Sequence, residues 1–448
     1  MTKIITLKKG LDIRIDGEVP SDSNVHERPA ELVALVPDDF PGIVPKILVH
    51  VGDTVKKGTP LFSDKFYQDI KVVSPVSGTV EEIARGERRK LLYITVRSGG
   101  YDTAADEAAG EAETADSEKT EQALLNSGLW AMMRQLPYGI VPRPSVKPRD
   151  IMISLFDSAP LAYEYNQLSE SDKDYIRTGV AALGRLTDGK IYLGTREDCT
   201  FDCDDAETVI FKGAHPAGNA SVQIANIRPV NKGDVIWILD RPTIIRIGKL
   251  FKNGELDYST TVAVTGCEVN RPMLVRTTVG AALLPVLSGQ IADDGKHRRI
   301  IAGNVLTGIP TSIKGSLRYP YTQVTVIAEG DDKVEFMGWA SMSSDKMSES
   351  CTFPGRFLKK KFCPDARLNG GRRAMIMSGI YDKYLPMDIM VEFLIKACLS
   401  KNLDLMEQLG IYEILPADVA LCEYADPSKL ELQKIIREGI EYAFHELG

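Results

Sequence analysis

The sequence has no cysteine pair spaced C-x-x-C, and its seven cysteines are scattered through 448 residues. An odd, unpaired set argues against a disulfide framework or a structural zinc site. Histidine is scarce, with five in the chain, which leaves little imidazole for a metal centre. Basic residues are in deficit: 54 Lys and Arg face 62 Asp and Glu, a net charge of −8. A nucleic-acid binder normally carries a basic stripe or face, so nucleic acid is not an expected partner. No run reaches the ~18 apolar residues of a spanning helix. The longest candidates, 279–287 and 387–399, are short or broken by charge. The opening residues lack the apolar core of a secretion signal. There is no Walker loop, nucleophile elbow or H-E-x-x-H. These absences predict a chain kept in the cytoplasm, with no transmembrane helix, that reaches a membrane only through partners or a surface patch.

What is present divides by pattern. At ~100–200 residues per domain, the length calls for three or four domains. Residues 31–97 read as short strands between turns at Gly52-Asp53, Gly58-Thr59-Pro60 and Ser77-Gly78, a small β sandwich or barrel. Residues 101–122 are acidic and poor in large apolar groups, the composition of a linker. A helix is expected over 122–136, stopped by Pro137. From Asp150 the pattern alternates, with strands at 151–156, 190–193, 208–211, 234–239 and 260–264 and helices at 174–186 and 243–251. Alternation of this kind predicts a mostly parallel α/β sheet. Residues 266–340 read as a compact α+β unit, with strands at 273–277, 299–303, 323–327 and 334–339 and a helix at 279–284. The rest is mostly helical. Its clearest element is the last helix, where Ser428 and Glu431 have capping-box spacing and Leu432, Ile435, Ile436, Ile440 and Ala443 share one face.

The run from Gly52 to Gly58, followed by Ser74-Pro-Val-Ser-Gly78, resembles the biotinyl/lipoyl carrier fold. Carriers hold their prosthetic group on a lysine in an exposed hairpin. Here that place falls at Tyr67, with Lys65 and Lys71 to either side, so an unmodified, structural barrel is expected.

A wider resemblance rests on five further runs. They are Lys8-Lys-Gly-Leu-Asp12, Asn126-Ser-Gly-Leu-Trp-Ala-Met-Met-Arg-Gln-Leu-Pro-Tyr138, Gly213-Ala-His-Pro-Ala-Gly218, Arg271-Pro-Met-Leu-Val-Arg276 and Leu368-Asn-Gly-Gly371. In order and spacing they resemble the A-subunit family of sodium-translocating NADH:quinone reductases, from end to end of the chain. That family is related to the C subunit of the Rnf complex and to the flavin subunit of respiratory complex I. The resemblance implies an N-terminal barrel-sandwich domain (1–100), the acidic linker (101–122), a Rossmann-like α/β domain (123–265), an SLBB β-grasp-like domain (266–340) and a helical C-terminal domain (341–448). It implies a peripheral subunit of a six-subunit complex on the cytoplasmic side of the bacterial inner membrane. The complex oxidises NADH, reduces a quinone such as ubiquinone and exports Na+. Its cofactors FAD, FMN, riboflavin and Fe-S centres belong to other subunits. The expected partners are those subunits, above all the membrane-embedded B subunit, with quinone at the interface.

Three replacements carry the expectation that this chain binds no flavin or cluster of its own. Where the relatives have a glycine-rich FMN loop, which lets backbone amides approach phosphate, this chain has Ser127-Gly-Leu-Trp-Ala-Met-Met-Arg134. Where the Rnf relative has clustered cysteines, Cys422 and Pro427 remain and Asp426 stands in the last cysteine's place. Tyr67 stands near the carrier lysine's place. Core packing is the plainer reading of Trp130, Met132 and Met133; the sharper one is an apolar slot near the quinone, with Arg134 beside it. Likewise His215, between Gly213 and Gly218, is either structural or the one imidazole placed to touch a ligand. Trp130, Arg134, His215, Pro216 and Gly218 are therefore the expected quinone-proximal residues. The competing reading is an FMN- and NADH-binding electron-entry subunit. The absorption spectrum separates the two: the purified chain should show no flavin or iron–sulfur bands, and its intact mass should carry no adduct on Lys65 or Lys71.

Overall fold

The computed structural model describes residues 3–100, 116–144, 146–163, 168–331, 344–347, 349, 357–358 and 360–447. The expected strand at 334–339 and most of the acidic linker lie outside the described residues. The N-terminal unit is two facing antiparallel sheets. One joins Leu32–Leu35, Leu91–Ser98, Gly78–Arg85 and Thr54–Val55; the other joins Pro45–Ile47, Pro60–Asp64 and Lys71–Val73. Leu61, Phe62, Val33, Ile94 and Val96 fill the space between them. At the hairpin tip the Asp64 carboxylate accepts the Phe66, Tyr67 and Val44 amides at 2.6–2.7 Å. Phe66 stands in solvent, Arg143 lies over the Tyr67 ring, and Lys71 bonds Asn126.

The second unit is a six-stranded sheet in the order Lys3–Thr6, Glu207–Lys212, Lys190–Thr195, Asp150–Ser154, Ile236–Asp240, Arg134–Leu136. All neighbours are parallel except the last pair. Period-two alternation sorts its side chains to two cores. Ile151 and Ile153 face the helices Glu170–Gly184 and Arg241–Asn253 and a core continuous with the barrel. Met152 faces the Ala220–Ile227 helix and the C-terminal helices. The Glu170–Gly184 and Arg241–Asn253 helices pack closely because Gly248 presents no side chain. A Cβ there would lie 1.9 Å from the Tyr175 carbonyl oxygen.

The third unit is a mixed sheet in the order Ile309–Thr311, Arg298–Ala302, Gln323–Ala328, Ser259–Thr265, Met273–Thr278, Val25–Glu27. Its core includes Val262, Val264, Val275, Leu283 and Val324. The C-terminal helices Val391–Leu399, Leu403–Gln408, Ala420–Ala425 and Leu432–Leu447 pack around Cys398, Met406, Ile436 and Ile440. Gly439 costs the last helix intrinsic propensity, but a Cβ there would meet the Cys398 sulfur at 2.5 Å.

Several expectations need correction. Residues 3–30 contribute no strand to the barrel's sheets: Lys3–Thr6 is the edge of the α/β sheet and Val25–Glu27 the edge of the third. Ser259–Thr265 belongs to the third sheet, not the second, because its ladders run to Met273–Thr278 and Gln323–Ala328. The helix at 122–136 is instead Ser117–Asn126. Gly128 follows it at φ 71°, pressed on Val73, and 134–136 pairs as a strand. The final helix starts at Leu432, without the expected capping box. The Ser428 hydroxyl donates to the Ala374 carbonyl, and Glu423 of the preceding helix accepts the free Gln433 amide.

One polar joint ties the first three units. Asp39 of the barrel accepts the Arg318 Nε at 2.8 and 2.9 Å, and the pair is largely buried. Next to it, Arg134 of the α/β unit donates to the carbonyls of Asp39 (2.5 Å), Ala131 (3.0 Å) and Met133 (2.9 Å). Tyr319 donates to the Met132 carbonyl at 2.5 Å and stacks on Phe40 with ring centres 5.6 Å apart. Removing one partner of such a pair leaves an unmatched buried charge, at a cost of about 3–5 kcal/mol. Asp39→Ala should therefore lower the thermal unfolding midpoint by several degrees. The double variant Asp39→Leu with Arg318→Met should recover part of the loss; differential scanning calorimetry reads both.

Candidate functional site

Strand order decides where a cleft opens. From the Asp150–Ser154 strand the chain moves to one side for Lys190–Thr195 and Glu207–Lys212, then crosses to the other side for Ile236–Asp240. Connections diverge between the carboxyl ends of Asp150–Ser154 and Ile236–Asp240, the topological switch point where open α/β sheets take ligands. A cavity of about 570 Å³ lies there, closed on one side by Tyr319–Gln323 of the third unit. Met132, Leu155, Phe156 and Leu239 give it apolar wall, while Asp157, His215, Asp240, Arg246 and Gln323 add polar groups.

The His215 loop is held from four directions. The Asp12 carboxylate accepts the His215 amide at 2.9 Å, and the Leu11 amide donates to the His215 carbonyl at 2.9 Å. Ser158 Oγ accepts the Gly218 amide at 2.8 Å, and Ser154 Oγ donates to the Gly218 carbonyl at 2.8 Å. Gly218 is required by closeness: a Cβ would lie 2.7 Å from the Ser158 amide nitrogen. From the C-terminal unit, buried Asp418 accepts Asn219 Nδ2 and Ser221 Oγ, each at 2.8 Å. Burial pushes the Asp418 carboxyl above its usual range.

His215 is 3% exposed. Burial lowers its pKa from 6.5 to about 4, so the ring is neutral near pH 7. Its Nδ1 lies 3.0 Å from Ser158 Oγ. That oxygen also accepts the Gly218 amide and has capacity for a second bond in either sense, so both ring tautomers suit the contact. Nε2 is buried without a hydrogen-bond partner. Two further wall residues share this condition, Arg246 at Nε and Gln323 at Oε1. A buried polar atom without a partner carries a desolvation cost, and here three belong to residues of one cavity wall. Burial also raises the pKa of Asp157, with Asp240 adding to it, and pushes Tyr319 up to about 12.

Of the five residues singled out in the sequence, Arg134, His215 and Gly218 line this cavity, while Trp130 and Pro216 lie outside its wall. Trp130 is core: Nε1 donates to the Pro142 carbonyl at 2.7 Å, and its ring meets Trp237 edge-on at 5.1 Å. Met133 is also core, whereas Met132 reaches the cavity. Arg134 bonds three carbonyls, which makes it a clamp as much as a wall residue. Sequence reasoning passed over Asp157 and Asp240, although residues directly after parallel strands are where the switch-point rule points. Arg246 and Gln323 carry no such local signal.

Elsewhere, no group of three or more His, Cys, Asp or Glu among the described residues could hold a metal. Asp426 is buried and accepts the Ser428 and Leu430 amides. Burial pushes the Cys398 and Cys422 thiols up to about 12, far from the thiolate range.

Family models match three stretches: the NqrA N-terminal barrel-sandwich hybrid domain at residues 5–99, the NqrA second alpha/beta domain at 115–256 and the NQRA C-terminal domain at 261–312. The A subunit of the Na(+)-translocating NADH-quinone reductase of Yersinia pseudotuberculosis is 36% identical, over 97% of this chain and 98% of its own. The same-named protein of Rhodopirellula baltica is 34% identical, over 98% of this chain and 97% of its own. Among solved structures, an NAD+-reducing [NiFe]-hydrogenase in the air-oxidized state is similar over 50% of this chain and 49% of its own, at 17% identity and a TM-score of 0.35.

The buried imidazole makes stability depend on pH. The folded value lies below the ordinary 6.5, so unfolding takes up a proton between pH 6.5 and about 4. Stability is full above that window and falls as pH drops through it. At pH 5 this one residue should cost about 2 kcal/mol relative to pH 8. His215→Gln should flatten that part of the profile in denaturant titrations at the two pH values.

Proposed function

This chain belongs to the A-subunit family of Na(+)-translocating NADH-quinone reductases, and from that premise we propose that it forms part of the quinone end of the complex. In this reading it docks peripherally on the cytoplasmic face, beside the membrane-embedded B subunit, and binds no flavin or iron–sulfur cluster itself. No helix among the described residues is long and apolar enough to cross a membrane.

The observation that carries the quinone reading is the switch-point cavity itself, with its apolar wall and His215 among its lining residues. A quinone is a flat, largely apolar ring that accepts hydrogen bonds at its two oxygens. Met132, Leu155, Phe156 and Leu239 offer it apolar surface, and His215 and Arg246 stand beside it with ring and guanidinium nitrogens that lack hydrogen-bond partners. Asp157 and Asp240, both in the wall, give developing negative charge on the ring little welcome until a proton arrives. The raised Asp157 carboxyl lies on the same wall as a candidate proton carrier. The rival flavin reading is disfavoured by the 127–134 segment: Leu129, Trp130, Ala131 and Met133 are buried in packing, and Gly128 is pressed on the barrel. Few of its groups are left for a phosphate.

The test uses the assembled complex. His215→Gln should lower NADH-driven quinone reduction about tenfold, the worth of one buried hydrogen bond. NADH oxidation by an artificial acceptor such as ferricyanide, which bypasses the quinone, should stay within about twofold of wild type. Unchanged quinone reduction would place the cavity away from the quinone.

A further inference from the structure

The barrel edge displays a row of apolar side chains in solvent. Period-two alternation along the edge strand Pro45–Ile47 sets Val44, Lys46 and Leu48 on one side. Val44 and Leu48 are 46% and 44% exposed, and Val51 beyond them 60%. The hairpin tip continues the row: the Lys65 amide donates to the Val44 carbonyl at 2.8 Å, and the next residue, Phe66, is 72% exposed. Asp64 fixes this tip from inside. It is 2% exposed, its carboxylate accepts the Val44, Phe66 and Tyr67 amides, and its own amide donates to the Ile70 carbonyl at 2.9 Å. A single exposed apolar residue is ordinary, but a row that ends in a fixed aromatic marks a contact surface.

Charge narrows what the row meets. Residues 31–98 hold ten Lys and Arg against nine Asp and Glu, in a chain whose net charge is −8. Two of those nine acids, Asp39 and Asp64, are buried, so the barrel presents a positive surface in an acidic protein. Its cations stand beside the row. Lys46 reaches Gln68 at 3.3 Å, Lys65 Nζ lies 5.8 Å from the Phe66 ring centre, and Arg143 lies 5.7 Å from that of Tyr67. A partner protein adding a strand is disfavoured, because Pro45 has no N–H to offer at this edge. A protruding aromatic ring flanked by lysines fits a surface that is apolar beneath and anionic above, which is a lipid interface.

We infer that the barrel edge seats on anionic lipid: Phe66 enters the membrane interface, Val44 and Leu48 follow at its margin, and Lys46 and Lys65 meet phosphate headgroups. This rests on the peripheral-docking reading above and deepens it by naming the surface that touches the bilayer. The hairpin that would hold a prosthetic group in a carrier domain then serves as an anchor. Its affinity is modest by design of the chemistry, one aromatic ring and two close cations, so it orients a subunit that partners also hold.

The experiment places a reporter at the tip. Full-length Phe66→Trp protein, its fold checked by a melting curve, is titrated with vesicles of phosphatidylglycerol and phosphatidylethanolamine at low salt. Fluorescence in excess of the wild-type background should shift to the blue and be quenched by brominated lipid. Adding Lys46→Glu and Lys65→Glu should weaken vesicle binding by about tenfold or more, as should high salt. No shift on anionic vesicles overturns the inference, and so does an equal shift on phosphatidylcholine alone, since charge then plays no part. If Phe66→Asp sheds the subunit from the assembled complex while vesicles leave the introduced tryptophan unshifted, the tip docks on protein and the lipid inference falls. The quinone-end reading is decided separately, by the His215→Gln assay above.

Discussion

The contact between Asp39 and Arg318 lies where three of the four units meet. A carboxylate and a guanidinium taken out of water must satisfy one another fully or destabilise the fold. Here the demand is met only when the barrel delivers Asp39 and the third unit delivers Arg318. The α/β unit adds Arg134 and the Met132 carbonyl, to which Tyr319 donates. Because Met132, Arg134 and Tyr319 also line the switch-point cavity, the same joint sets the shape of the candidate site. The cavity wall is therefore fixed by inter-unit packing, not by one domain alone.

The segment from Ser127 to Arg134 takes part in the same packing. In a phosphate-binding loop, backbone amides face a ligand and side chains stay small. Here the side chains are large and turned inward. The Ser127 carbonyl accepts the Tyr258 hydroxyl, Gly128 fits against Val73, and Trp130 packs on Trp237. The segment is part of the surface on which the barrel seats. Asp426 supplies a parallel case, since its carboxylate organises a turn through two backbone amides.

Much of this was legible from the residues. The central strands are buried on both faces, so 151–153 and 236–239 read as unbroken apolar runs, and the helices between them show clear periodicity. Edge strands gave no such signal. Lys3–Thr6 and Val25–Glu27 are mostly exposed and join their sheets through backbone hydrogen bonds, which side-chain patterning does not encode. The final helix shows the opposite failure: Ser428 and Glu431 have capping spacing, yet a tertiary contact to Ala374 takes the hydroxyl. At the site, His215 and Gly218 stood out because glycine and proline mark a constrained loop. Arg246 sits mid-helix and Gln323 begins a strand, where each reads as ordinary amphipathic pattern. Their convergence depends on how two units dock, which no local window contains.

The path of the first thirty residues has a consequence for biosynthesis. Lys3–Thr6 pairs with Glu207–Lys212, and Val25–Glu27 pairs with Met273–Thr278. Both partners leave the ribosome long after the segment that needs them. The barrel, whose strands all lie between Leu32 and Ser98, can close early, while the stretch before it stays without its sheets until about residue 280 has emerged. This stretch is made before the barrel yet reaches its final place after it, and for that interval a chaperone or a neighbouring chain has two unpaired strands to find.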